Sequence, residues 1–307
     1  MALDTKHTRG IAYMLGASFF FALTGACARY MRSDFSPIEL VFFRNLIGVV
    51  FILLLIWRKP IKQIGGKTMI LVFRGVIGTM ALYFFFYGIS NIGLAVAITY
   101  QQSYPIFLAL MAGIIYHEKL NTKEWGAIML GFVGICCIFV PSIALDSISL
   151  KSHLVGLGNA IMTGMAYLSI RKLSKYYDHR SIVLSFMLSG IIMPLISMGL
   201  GRYYSAEGLE FLISEYIAPQ LEHIFPLLLL GVSAVFGQVF LTKAFSYGKT
   251  GIIAAVGYSN IIFSMFFGVL LGDSIPSGLT ILGIIMIVSC GVMVSSTKSI
   301  TNETTET

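Results

Sequence analysis

The chain has 307 residues, of which 57% are hydrophobic and 11% charged, and its mean hydropathy is +0.85; a soluble domain carries roughly 25% charge, so a water-soluble globular fold is excluded. The formal net charge is +7, from 21 Lys and Arg against 14 Asp and Glu. The basic residues collect between apolar runs, where they report topology rather than a nucleic-acid surface, and no nucleic-acid partner is expected. Apolar runs long enough to cross a hydrocarbon core of roughly 30 Å as helices recur at 11–30, 37–57, 68–89, 94–116, 122–140, 155–172, 181–200, 224–243, 251–271 and 277–296. The expected fold is all-α, a polytopic membrane protein of ten transmembrane helices with the lipid bilayer as its solvent.

The first run follows Lys6 and Arg9 and is too long for a signal h-region without a persuasive cleavage site, so it counts as a helix of the mature protein. In the second run, Arg44 lies seven residues in, roughly 10 Å along the axis. It can attract an anion, pair with Glu39 or Asp34, or snorkel. The third run carries Tyr83 and Tyr87 as candidate aromatic contacts, and Arg74 reads as a snorkelling cytoplasmic anchor.

The fourth run has the densest polar group at membrane depth, Tyr100, Gln101, Gln102, Ser103 and Tyr104, immediately before Pro105. Proline frees a backbone carbonyl by removing a helical hydrogen bond. Polar groups in a bilayer face a cavity or another helix. In the second half of the chain the candidates are Asn159 and Tyr167 in the sixth run, Gln238 and Thr242 in the eighth, and Tyr258, Ser259 and Asn260 in the ninth. Interhelical hydrogen bonding is the plainer role for each of these residue types. The loop at 201–223 bears Glu207, Glu210, Glu215 and Glu222, and its Leu209, Phe211, Leu212 and Ile213 suit a short interfacial helix. The segment 298–307 reads as a disordered cytoplasmic tail.

With the N-terminus inside, 16 of the 21 basic residues fall on the cytoplasmic side, which sets both termini in the cytoplasm of a cell (inner) membrane protein. The chain also repeats itself. At an offset of 155 residues Gly93 falls on Gly248, Gly113 on Gly268 and Glu118 on Asp273, and at 142 residues Gly16 falls on Gly158 and Arg29 on Arg171. The halves are 1–146 and 150–297. Five helices per half is an odd number, so the second half enters the membrane from the opposite side, giving two inverted five-helix repeats.

Ser36-Pro37-Ile38-Glu39-Leu40 running into Phe43-Arg44, Tyr104-Pro105 followed by Glu118-Lys119-Leu120, and Trp125-Gly126 with Gly131 and Gly134 resemble the ten-helix EamA branch of the drug/metabolite transporter superfamily. Gly237-Gln238, Ala244, Tyr258 and Gly272-Asp273 occupy comparable places in the second half, with Asp273 where such families usually show Glu and Asn260 opposite Pro105. The resemblance implies two inverted five-helix bundles around a central cavity that carries amino acids, S-adenosylmethionine, nucleosides or vitamin-like metabolites.

Absences bound the chemistry. None of the acidic residues lies near the centre of a run, so an intramembrane carboxylate relay for protons is missing. His7, His117, His153, His179 and His223 fall in loops or helix ends, and the four cysteines sit in apolar runs as small hydrophobes; no metal, cofactor or disulfide is expected. Gly66-Lys67-Thr68 and Gly248-Lys249-Thr250 lack the leading glycine of a phosphate-binding loop. Ser18 has no membrane-buried His or carboxylate to activate it, which argues against an enzyme. A secondary transporter for a small-molecule metabolite working by alternating access is the expectation, with a channel or a carrier of lipid-like substrates as the alternative. Substrate, direction, energy source and oligomeric state stay open.

Overall fold

The computed structural model describes residues 5–61, 63–104, 106–107, 110–111, 114, 122–144, 149–173, 175–204, 211–247 and 256–305. Pro105, Gly113, Glu118, Glu207, Leu209, Glu210 and Gly248 lie outside them, as does the side chain of Thr242. Every element among the described residues is a helix. They are α1 (Thr5–Tyr30), α2 (Pro37–Arg58), α3 (Thr68–Ile92), α4 (Leu94–Gln102) and α5 (Thr122–Ala144), then α6 (Leu150–Leu173), α7 (His179–Gly201), α8 (Leu221–Tyr247), α9 (Ser259–Leu270) and α10 (Gly278–Thr305).

Among the described residues five stretches are both long and apolar enough to cross a membrane: Thr8–Tyr30, Pro37–Arg58, Thr68–Ile92, Arg180–Gly201 and Leu221–Leu241. Shorter apolar stretches occupy Trp125–Ile138, Ser259–Leu270 and Gly278–Cys290.

Local chemistry explains where several helices begin. Ser36 and Glu39 form a capping box with Pro37 in the first turn of α2, satisfying amides that have no partner inside the helix. Asp178 caps α7 by accepting from the Arg180 amide at 2.8 Å. Between α3 and α4 a single residue, Gly93, breaks the helix at φ 84°, a left-handed conformation that glycine adopts without Cβ strain.

The larger contacts between the two halves of the chain are α1 with α8 and α9, α2 with α7 and α8, α3 with α6 and α7, α4 with α6 and α9, and α5 with α10. Replacing each helix by the one five places along maps this set onto itself. One pair of glycines aligned by the internal comparison, Gly16 and Gly158, does equivalent work in it. A Cβ on Gly16 of α1 would lie 2.6 Å from the Phe240 ring of α8, and one on Gly158 of α6 would lie 2.8 Å from the Phe84 ring of α3. Close approach of helices through small residues is a principal source of association in a bilayer, where apolar burial no longer distinguishes protein from solvent.

One sequence expectation is corrected here. Residues 211–220 form no helix. Phe211 is 4% exposed, with its ring 4.7 Å from Tyr87 and 5.4 Å from Phe84, while Ser214 donates to Ser36 at 2.8 Å and the Ile217 amide to Glu39 at 2.5 Å. Aromatic burial and the polar start of α2 therefore anchor this loop against the protein. At the other end, α10 runs to Thr305; extending an existing helix adds one bond per residue without a new nucleation cost.

Candidate functional site

A cavity of about 760 Å³ lies among α1, α2, α3, α4, α6, α7, α8 and α9, within the size range of small-molecule sites. Gln101, Gln102 and Tyr104 line it from the α4 side, Tyr258 and Asn260 from the start of α9, Gln238 from α8 and Arg44 from α2. With Tyr167 of α6, eight of the candidates named from the sequence thus meet at one space.

The meeting has a specific centre. The Gly257 carbonyl, two residues before α9, accepts from Gln102 Nε2 at 3.3 Å and from Ser18 Oγ of α1 at 3.3 Å. Gln102 and Gly257 are separated by 155 residues, the same offset that aligns Gly93 with Gly248 in the sequence, and through this bond the two polar clusters touch. Tyr104 stacks edge-on against Tyr167 of α6, centroids 4.8 Å apart, and both rings border the cavity. Tyr258 is 7% exposed and its hydroxyl has no hydrogen-bond partner among the described residues. Asn260 accepts from Ser264 through Oδ1 at 3.3 Å.

The remaining candidates stand outside the cavity lining. Tyr100 is buried against α6, its hydroxyl 2.8 Å from His153 Nδ1. Ser103 donates to the Tyr100 carbonyl at 2.6 Å, taking up a carbonyl at the end of α4. Asn159 donates to Ala81 at 2.6 Å in the contact between α3 and α6, and the Tyr83 hydroxyl faces Ser197 at 3.4 Å. Ser259 Oγ is buried without a partner among the described residues. Tyr87 packs on Phe211 with Lys151 over its ring at 5.2 Å, an anchoring role at the edge of the bundle.

Two arginines behave differently from a surface-seeking reading. Arg44 pairs with neither Glu39 nor Asp34: Glu39 is engaged by Ser36 and Ile217, and Asp34 lies 3.8 Å from His223. Arg74, expected to snorkel, is 8% exposed and lines the same cavity. Both guanidinium groups lie over one ring, Phe186 of α7, at 5.9 Å for Arg44 and 4.7 Å for Arg74. A side chain on Gly78, one turn beyond Arg74 on α3, would overlap Arg74 Nη1; the small residue makes room for the buried cation.

The EamA-like transporter family profile matches residues 8–140 and 150–297. An "uncharacterized transporter" of Helicobacter pylori is 31% identical over 93% of this chain and 94% of its own length. The pseudopaline exporter CntI of Pseudomonas aeruginosa is 29% identical over 97% of this chain and 99% of its own. A solved crystal structure superposes with a TM-score of 0.59 at 15% identity, over 98% of this chain and 100% of the other, which shows a shared fold.

Proposed function

The chain belongs to the EamA-like transporter family, and from that premise we propose that it is a secondary carrier moving a small organic metabolite across the cytoplasmic membrane by alternating access. It is a multi-pass membrane transporter, not an enzyme. The carrying observation is the junction of Gln102 with the Gly257 carbonyl inside the cavity. A site assembled from equivalent positions of two repeats lies where rocking one half against the other exposes it to alternate sides.

Two inverted repeats, 1–146 and 150–297, are supported by the paired family matches and by a set of helix contacts that survives exchange of the halves. The loop charges favour both termini in the cytoplasm. Gln101, Gln102, Tyr104, Gln238, Tyr258 and Asn260 form the polar part of the binding site, with Tyr104 and Tyr167 offering ring faces.

The test is transport in proteoliposomes loaded with the solute that stabilises the purified protein. Excess unlabelled solute inside should drive uptake of labelled solute, and Gln102→Ala or Asn260→Ala should depress that exchange at least several-fold with the protein still folded and inserted. Non-saturable flux without exchange would identify a channel; unchanged exchange in both variants would remove these residues from the site.

A further inference from the structure

Resting on the carrier reading above, we propose that the transported metabolite is an organic acid with two or more carboxylates, bound by Arg44 and Arg74 at one end of the cavity. Arg44 is 7% exposed and Arg74 8%, and neither forms an ion pair with any described residue. Arg44 donates to Asn45 Oδ1 at 3.3 Å. Nε and Nη1 of Arg74 are buried with no hydrogen-bond partner among the described residues. An unpaired cation is costly at membrane depth and is retained where it marks a solute path. Here two of them border one cavity.

Phe186 eases the burial of both cations through its ring face, but a ring leaves the N–H donors of a guanidinium unused. A carboxylate uses them, since its two oxygens match the fork of a guanidinium in a bidentate, charge-assisted pair. The distances to the shared ring hold the two cationic carbons within about 11 Å of one another, a separation that one flexible molecule with an acid group at each end can span. Among the described residues no aspartate or glutamate lines the cavity, while Phe21, Leu82 and Phe85 give an aliphatic body apolar contact and Gln101 and Gln102 can bond its polar substituents. The charge balance of the site therefore selects anions over cationic or neutral solutes.

The measurement compares succinate, glutarate and adipate with their diamides, which keep shape and hydrogen-bonding capacity but carry no charge. Thermal stability of the protein in nanodiscs reads binding, because a ligand of the native state raises it by mass action. At least one diacid should bind about tenfold or more tighter than its diamide, as expected for charge-assisted bonds. Arg44→Gln and Arg74→Gln should each weaken that diacid about tenfold, with Arg44→Lys and Arg74→Lys recovering part of the loss. Should either glutamine variant fail to fold, the acid and amide comparison in the unaltered protein decides alone. Diamides binding as well as the acids, diacid binding indifferent to both glutamine variants, or silence of all three diacids would each overturn the proposal. If neutral solutes still bind and lose affinity in Gln102→Ala, the carrier reading survives the loss of the acid reading. If the arginine variants weaken binding and Gln102→Ala and Asn260→Ala do not, the anionic class stands and the polar centre is misplaced.

Discussion

Arg29, at the end of α1, forms a largely buried ion pair with Asp273, which lies just beyond α9, and through it three separate parts of the chain are held together. The other Asp273 oxygen accepts from the Leu94 amide at 2.8 Å, capping α4, while Arg29 donates to the Ile89 and Ser90 carbonyls at 2.8 and 2.9 Å at the end of α3. A carboxylate at a helix N-terminus also meets the positive end of the helix dipole. The sequence comparison placed Asp273 at a helix end; its partner helix was not visible there, because that pairing is a tertiary contact.

Asp273→Ala removes the ion pair and the cap together. Deleting one partner of a largely buried pair costs up to about 3 kcal/mol, so the variant should unfold at a clearly lower temperature than the parent in detergent. Combining Asp273→Asn with Arg29→Gln should cost less than the two single losses added, since the second change relieves the cation stranded by the first. Additive losses would show that the pair is not coupled.

Tyr258→Phe deletes a hydroxyl that is buried beside the cavity with no protein partner among the described residues. Losing an unsatisfied polar atom is neutral or stabilising for the fold. Melting temperature should hold or rise, while KM for the transported solute rises several-fold if that hydroxyl bonds the solute. A drop in stability with unchanged KM would reassign the hydroxyl to the fold.

Much of the site is legible in the chain because polar residues in apolar runs are rare and costly there. What single residues do within such a cluster is not, since each step along a helix turns the side chain by about 100°. Tyr100 and Gln101 are neighbours in sequence, yet the first is buried against His153 and the second lines the cavity. Arg74 was hidden for a related reason. Near a cytoplasmic basic cluster, an arginine early in a helix looks like an interfacial anchor; only the packing of α3 against α7, which sets Phe186 beside it, shows that it turns inward.

The same distinction predicts a split between stability and transport. Tyr100→Phe leaves His153 without its 2.8 Å partner and should destabilise by about 1 to 2 kcal/mol. Asn159→Ala exposes the Ala81 carbonyl to the same loss. Both variants should melt earlier than the parent and keep its KM, in contrast to Gln102→Ala. A KM change in either, without a stability change, would bring that residue back to the solute.

Gly134 and Gly126 sit on one helix, α5, and offer a controlled test of how that helix packs. A Cβ on Gly134 would stand 2.8 Å from the Gly283 carbonyl oxygen of α10 and 3.0 Å from Ile287 and Met286, whereas one on Gly126 meets nothing within 4 Å. Backbone cannot yield as a side-chain tip can. Gly134→Ala must push α5 and α10 apart, a kind of overpacking that costs about 1 to 3 kcal/mol, and Gly134→Leu should cost more. Gly126→Ala gains helix propensity of up to about 1 kcal/mol with no clash to offset it. Melting curves of the four proteins in the same detergent should therefore rank Gly126→Ala at or above the parent, then Gly134→Ala, then Gly134→Leu. Equal behaviour of the two alanine variants would mean that α5 and α10 do not meet through Gly134 and Gly283.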